Sequence, residues 1–179
     1  MATRPNSGGL NFSPKVGQIL ECNFGNYPTL PIGAERSPSQ INFDGRISPE
    51  MVKNRLVIVL NGKLGDACLV VPLSSTLDQF KLTKGWHVEI STASIPDLRF
   101  FAATTRWAKA DLVQQVSKQR LRVPKSSSGD FLGRLLLSPD LVTEIQCAIV
   151  KAINASSLLQ PTETTQSETT EAKELVGAV

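Results

Sequence analysis

A chain of 179 residues with 41% apolar and 20% charged side chains has the makeup of one globular domain with tails, long enough to bury a core. It holds no apolar run near the roughly 18–20 residues of a membrane helix, and residues 1–9 lack the apolar stretch of a secretory signal, so a cytoplasmic protein with no membrane partner is expected. The net charge of +3 is unevenly placed: residues 161–179 carry four glutamates against Lys173, a net of −3, which leaves +6 on the rest and a modest bias toward a phosphate-bearing partner.

Taken in order, residues 1–13 are rich in Gly, Ser, Asn and Pro and read as a flexible tail. Residues 16–24 read as a strand, with Val16, Leu20, Cys22 and Phe24 on one parity. Residues 25–48 form a long connection of the kind that is functional or mobile in compact domains; Arg36 and Arg46 in it either contact phosphates or are solvated. Two apolar runs follow, 56–60 and 67–73, joined by the polar residues 61–66. Runs this short, rich in Val, Leu and Ile and bounded by Gly or Pro, predict two buried strands of a hairpin. Glu50, Lys53 and Arg55 lead into the first strand, and Ser74, Ser75 and Thr76 leave the second. Antiparallel pairing puts the start of one strand and the end of the other at the same sheet edge. Arg55 and Ser74, nineteen positions apart, are therefore expected to meet.

Residues 77–85 read as a polar turn and 86–90 as a third strand. His87, the sole histidine, is expected on that strand pointing away from the core rather than acting as a catalyst. Residues 91–103 give no assignment. Residues 105–116 predict one or two strands and 117–121 a short helical turn; Trp107 within them suits base stacking, a core position or an interface. After a turn at 126–129, residues 131–137 predict a last strand. Ser138 as N-cap, Pro139 at the first helical position and Asp140 in the first turn then open a helix. Leu141, Val142, Ile145, Ala148, Ile149, Ala152 and Ile153 share one face of it, and Asn154 marks its end. Residues 156–179, rich in Ser, Thr and Glu, predict a disordered acidic tail. Cys22, Cys68 and Cys147 are odd in number and lack metal spacing, and so read as reduced thiols, with no metal site and no cofactor expected.

Glu50 five residues before Arg55, an apolar strand, a turn, a second strand and then Val71-Pro72-Leu73-Ser74-Ser75 resemble the MazF/PemK family of ribonuclease toxins, and Pro49-Glu50-Met51-Val52-Lys53 before Arg55 is similar to its PemK-like subgroup. Leu56 stands where that family has Pro, and Ser74 where it usually has Thr. The patterns alone give a mainly β chain with a small α component. The resemblance implies more: an SH3-like β-barrel of the MazF/CcdB/Kid type over residues 14–155, closed by the C-terminal amphipathic helix, a homodimer, a cognate antitoxin and RNA as substrate.

It also implies roles. Arg55, always protonated and planar, suits the charge of a phosphorane formed when an RNA 2′-hydroxyl attacks the neighbouring phosphorus, and proton donation to the leaving oxygen is a second role open to it. Ser74 is assigned to the scissile phosphate or the 2′-hydroxyl, and Glu50 acts as base or orients Arg55. Lys53, Ser75 and Arg46 are the RNA-binding candidates. The implied activity is metal-independent endoribonuclease cleavage leaving 2′,3′-cyclic phosphate and 5′-hydroxyl ends. Two other readings stay open: a catalytically silent barrel that docks RNA or protein, and a toxin of the same barrel acting on a protein target such as gyrase.

Overall fold

The structure, a computed structural model, describes residues 9–27 and 46–160. Most of the expected loop at 25–48, including Arg36, and residues 161–179 of the acidic tail lie outside the described residues.

The described residues form seven antiparallel strands: β1 (Ile19–Asn23), β2 (Asn54–Leu64), β3 (Ala67–Ser74), β4 (His87–Ile90), β5 (Arg106–Lys109), β6 (Gln114–Ser117) and β7 (Leu121–Arg122). They run in the order β4-β5-β3-β2-β1-β7. The second edge of β3 is shared, its first half pairing β6 and its last two residues β5, so the sheet splits there. The fold is thus mainly β with one long helix, as the sequence implied.

β2 and β3 lie at the centre and are covered on both faces, which is why they read as continuous apolar runs rather than alternating ones. On one face Leu56, Ile58, Val71 and Leu73 pack with Ile19, Val88, Ile90 and the helix α2 (Pro139–Ala152). On the other, Val57, Val59 and Val70 pack with Leu20, Cys22, Phe24, Cys68, Val116 and Leu121. Burial pushes the Cys22 thiol up to about 12, so it stays protonated. α2 begins as expected, with Ser138 Oγ accepting from Leu141 N at 3.4 Å and Pro139 in its first turn. Its buried face is Val142, Ile145 and Ala148. Ile153 departs from expectation: it caps the helix and is 63% exposed, because Asn154 turns the chain away at φ +62°.

Four further expectations are corrected. The hairpin turn is two residues, Gly65 and Asp66, and β2 continues through the polar residues 61–64 with register shifts. Gly65 sits at φ +60°, a conformation two-residue hairpin turns need. At Gly62 a Cβ would lie 2.1 Å from the Pro14 carbonyl oxygen, so only glycine fits. Residues 77–85 are not a plain turn: Asp78 Oδ1 accepts from Lys81 N at 3.1 Å and caps a short helix, α1 (Gln79–Thr83). Residues 131–137 form no strand. Leu132, Leu135 and Leu137 pack inward while Phe131 and Leu136 are exposed, so this run serves packing, joined to other backbone by isolated bridges at Gln18 and Lys125 and by single hydrogen bonds such as Ile19 N to the Leu135 carbonyl at 2.9 Å. In the expected tail, Ser156–Leu159 forms a 3-10 turn. At the other end Leu10 N donates to the Lys118 carbonyl at 3.0 Å, and Leu10 packs against the second core.

Candidate RNA-binding edge

The register of the hairpin pairs Val57 with Pro72. Carried two residues further, the same register places Arg55 opposite Ser74, as expected from the sequence. The neighbouring ladders extend this into one row across the sheet: Glu89 opposite Trp107, Trp107 opposite Ser74, then Arg55 opposite Cys22 and Cys22 opposite Leu121. Residues directly opposite in antiparallel pairs share a face. The row therefore runs from the exposed Glu89 through a polar centre to the buried Cys22 and Leu121.

Arg55 and Trp107 flank Ser74 in this row. Among the described residues, Arg55 Nε and Trp107 Nε1 are buried without a hydrogen-bond partner. Buried donors left unpaired cost about 1–3 kcal/mol each, so both N–H groups favour an acceptor. Ser74 Oγ accepts from Thr76 N at 3.1 Å, which leaves the hydroxyl proton free to donate.

The approach to Arg55 is held by backbone. Lys53 N donates to the Gly25 carbonyl at 2.7 Å, and the Lys53 carbonyl accepts from Phe24 N at 3.1 Å. These bonds hold Lys53 at φ +68°, a strained conformation for a residue with a Cβ, and leave its side chain exposed. Ser75 is exposed beside Ser74. Glu50 is turned elsewhere: its Oε2 accepts from Ile47 N at 3.0 Å and lies 3.9 Å from Arg46 Nη1, so its partners are Ile47 and Arg46 and not Arg55. The sequence-predicted set thus divides into two groups, Arg55 with Ser74 and Glu50 with Arg46, while Lys53 and Ser75 stand free at the rim.

Behind Ser74 lies a polar network that sequence reasoning missed. Lys109 Nζ donates to the Thr76 carbonyl at 2.9 Å and lies 3.3 Å from His87 Nδ1. His87 Nε2 is 3.0 Å from Asp111 Oδ1, and Asp111 Oδ2 pairs with Lys81 Nζ at 2.6 Å. His87 is 3% exposed, which corrects the expectation that it points away from the core. It is buried because it pairs with Lys109 across β4 and β5 and fills the gap between that lysine and Asp111. Its neutral form, carrying the proton on Nε2, satisfies both neighbours. Burial first, then the Lys109 ammonium, pulls the His87 pKa below the ordinary value, against the opposing pull of Asp111. Burial likewise lowers that of Lys109. The chain Lys81–Asp111–His87–Lys109 thus fixes the Thr76 carbonyl and, through it, the turn that holds Ser74. The available signal was Lys109 itself, a charged residue between Ala108 and Ala110 in a strand.

Among the described residues no group of three His, Cys, Asp or Glu side chains is placed to hold a metal ion. A shallow depression lined by Leu64, Asp66, Ala67, Gln115, Val116 and Ser117 lies at the opposite end of the hairpin, and no cation lines it.

A mainly β, antiparallel sheet with one main helix and a cation and hydroxyl edge is the class that fold and site define. Sequence comparison narrows it. The family described as PemK-like, MazF-like toxin of type II toxin-antitoxin system matches residues 39–168. The chain is 58% identical over 151 residues to the putative uncharacterized protein YifN of Escherichia coli K12, covering 84% of this chain and 98% of the relative. It is 43% identical over 146 residues to an uncharacterized protein of Haemophilus influenzae Rd, covering 82% of this chain and 94% of that one. Among solved structures, an endoribonuclease from Mycobacterial species is similar at 15% identity and a TM-score of 0.44, over 80% of this chain and 93% of that chain. The chain belongs to the PemK-like, MazF-like family of toxins of type II toxin–antitoxin systems.

Proposed function

We propose that this protein is an endoribonuclease that cleaves single-stranded RNA without a metal ion. What carries the reading is the Arg55–Ser74 juxtaposition: a guanidinium whose buried Nε–H has no partner among the described residues, set by the continued hairpin register across from a hydroxyl with a free proton. In this reading the RNA 2′-hydroxyl attacks the adjacent phosphorus and the bond to the 5′-oxygen breaks, that oxygen taking a proton from solvent water, which leaves a 2′,3′-cyclic phosphate and a 5′-hydroxyl. Arg55 carries the charge of the phosphorane, where preorganised donors act most strongly. Ser74 donates to a non-bridging oxygen, and Lys53, Ser75 and Arg46 hold flanking phosphates. Glu50 receives the 2′-hydroxyl proton when substrate displaces Arg46 from it. A homodimer and a cognate antitoxin are the partners this reading carries with it.

One observation favours a second reading. Glu50 is engaged by Ile47 and Arg46 rather than directed at Arg55, an arrangement that suits a barrel which docks RNA without cutting it. Mixed-sequence single-stranded RNA incubated with purified protein in EDTA separates the two. Cleavage leaving cyclic-phosphate ends, absent from Arg55→Gln, supports the ribonuclease; RNA that is bound but intact at protein excess refutes it.

A further inference from the structure

Arg106 opens β5, one residue before Trp107, the partner of Ser74. It therefore stands at the same sheet edge as Arg55. By strand alternation Arg55 belongs to the face of Val57 and Val59, and Arg106 to the face of Ala108, so the two guanidiniums reach that edge from opposite faces. Arg106 is only 7% exposed. Its guanidinium lies 5.7 Å from the Phe101 ring centroid, and Nη2 donates to the Ala102 carbonyl at 2.8 Å. Its Nε, like Arg55 Nε and Trp107 Nε1, is buried with no partner among the described residues. None of the ion pairs among those residues involves either arginine.

A buried cation without a counter-charge is costly, and a second cation nearby makes it costlier. The proximity is felt electrostatically: burial lowers the proton affinity of Arg106, and the Arg55 charge lowers it further. Neutral acceptors satisfy orphan N–H groups but do nothing for two like charges. An anion answers both. A phosphate diester, whose single negative charge is shared by two oxygens that two forks can grip, suits the chemistry best.

We propose that Arg106 is a second phosphate-anchoring residue, which brackets an RNA backbone phosphate with Arg55 and, through Trp107 Nε1, closes the side of the site away from β1. The proposal rests on the reading of this edge as an RNA site, and adds to it a residue of β5 outside the central hairpin.

The test uses full-length protein and a mixed-sequence 2′-O-methyl oligoribonucleotide, which binds but cannot be cut, with fluorescence anisotropy across a salt series. Arg106→Met keeps most of the side-chain length over Phe101 and removes the charge. Its slope of log K against log salt is expected to be shallower than native by about 0.7, the value of one phosphate contact to a single strand. The melting temperature of the ligand-free variant is expected to hold or rise, because an uncompensated buried charge has gone and the exposed Ala102 carbonyl can bond water. A purely structural Arg106 predicts the reverse, a lower melting temperature and an unchanged slope, and that result overturns the proposal. So does failure of the native protein to bind the oligonucleotide. If the Met variant does not fold, Arg106→Lys serves: charge kept and fork lost, about tenfold weaker binding at native slope supports the proposal, and native affinity overturns it. The two readings fail separately. RNA left intact by a native protein that shows the slope loss sinks the nuclease and keeps the anion site; cleavage with an unchanged slope does the opposite.

Discussion

If Arg55 and Ser74 grip one phosphate, removing either should disable the same interaction. Arg55→Gln deletes a charged donor aimed at the phosphorane, and loss of one such donor lowers cleavage about 10²–10³-fold. Ser74→Ala deletes a hydrogen bond to a charged group, worth about 1.5–3 kcal/mol, or about 10–150-fold. Independent effects would multiply in the double variant. A shared phosphate predicts that they do not: with Arg55 gone the phosphate is no longer held against Ser74, so the double variant should fall within about tenfold of Arg55→Gln alone, a coupling of roughly 0.5–3 kcal/mol. Single-turnover cleavage of a short labelled RNA at saturating protein measures this. Folding should not confuse the readout. Among the described residues Ser74 Oγ accepts only the N–H of the exposed Thr76, which water can satisfy, so stability should change by about 0.5–1 kcal/mol at most. Rates that multiply fully, or a Ser74→Ala variant that cuts at the native rate, would refute a shared phosphate.

The network behind Ser74 makes stability depend on pH. Because His87 holds its proton less readily when folded than the ordinary value of 6.5, its contribution is intact above that value and is lost as pH falls through it, with a slope of up to about 1.4 kcal/mol per pH unit. Urea melts across this range should show the slope, and His87→Gln should flatten it. Asp111→Ala removes the one carboxylate that, among the described residues, pairs with Lys81 and His87, and should cost about 3 kcal/mol in the same assay, since it leaves Lys81 and the buried Lys109 with Asp78 as their remaining nearby carboxylate; a loss below about 1 kcal/mol would mean the network is solvated. Ile145→Ala empties a fully buried position between α2 and the sheet and should cost about 2–5 kcal/mol, with cleavage kept wherever the protein remains folded.

The sequence by itself determined the central hairpin, the helix after Ser138 and the meeting of Arg55 with Ser74. Each follows from short-range rules: apolar runs of strand length, capping residues at a helix start, and the antiparallel register that links the ends of adjacent strands. Local reading failed where a residue's role depends on a distant neighbour. Residues 131–137 have strand composition, but they fill space against the first core and pair only at isolated bridges. Asp78 caps α1 within what reads as a polar turn. His87 has the look of a surface residue until Lys109 and Asp111, more than twenty positions on, close around it. Glu50 precedes Arg55 by five residues yet bonds backward to Ile47 and Arg46. Arg106 is one arginine among several in sequence. Only the fold of β5 beside β3 brings it to the edge where β2 starts with Asn54 and Arg55, because charge becomes costly, and so informative, only once tertiary packing has taken it out of water.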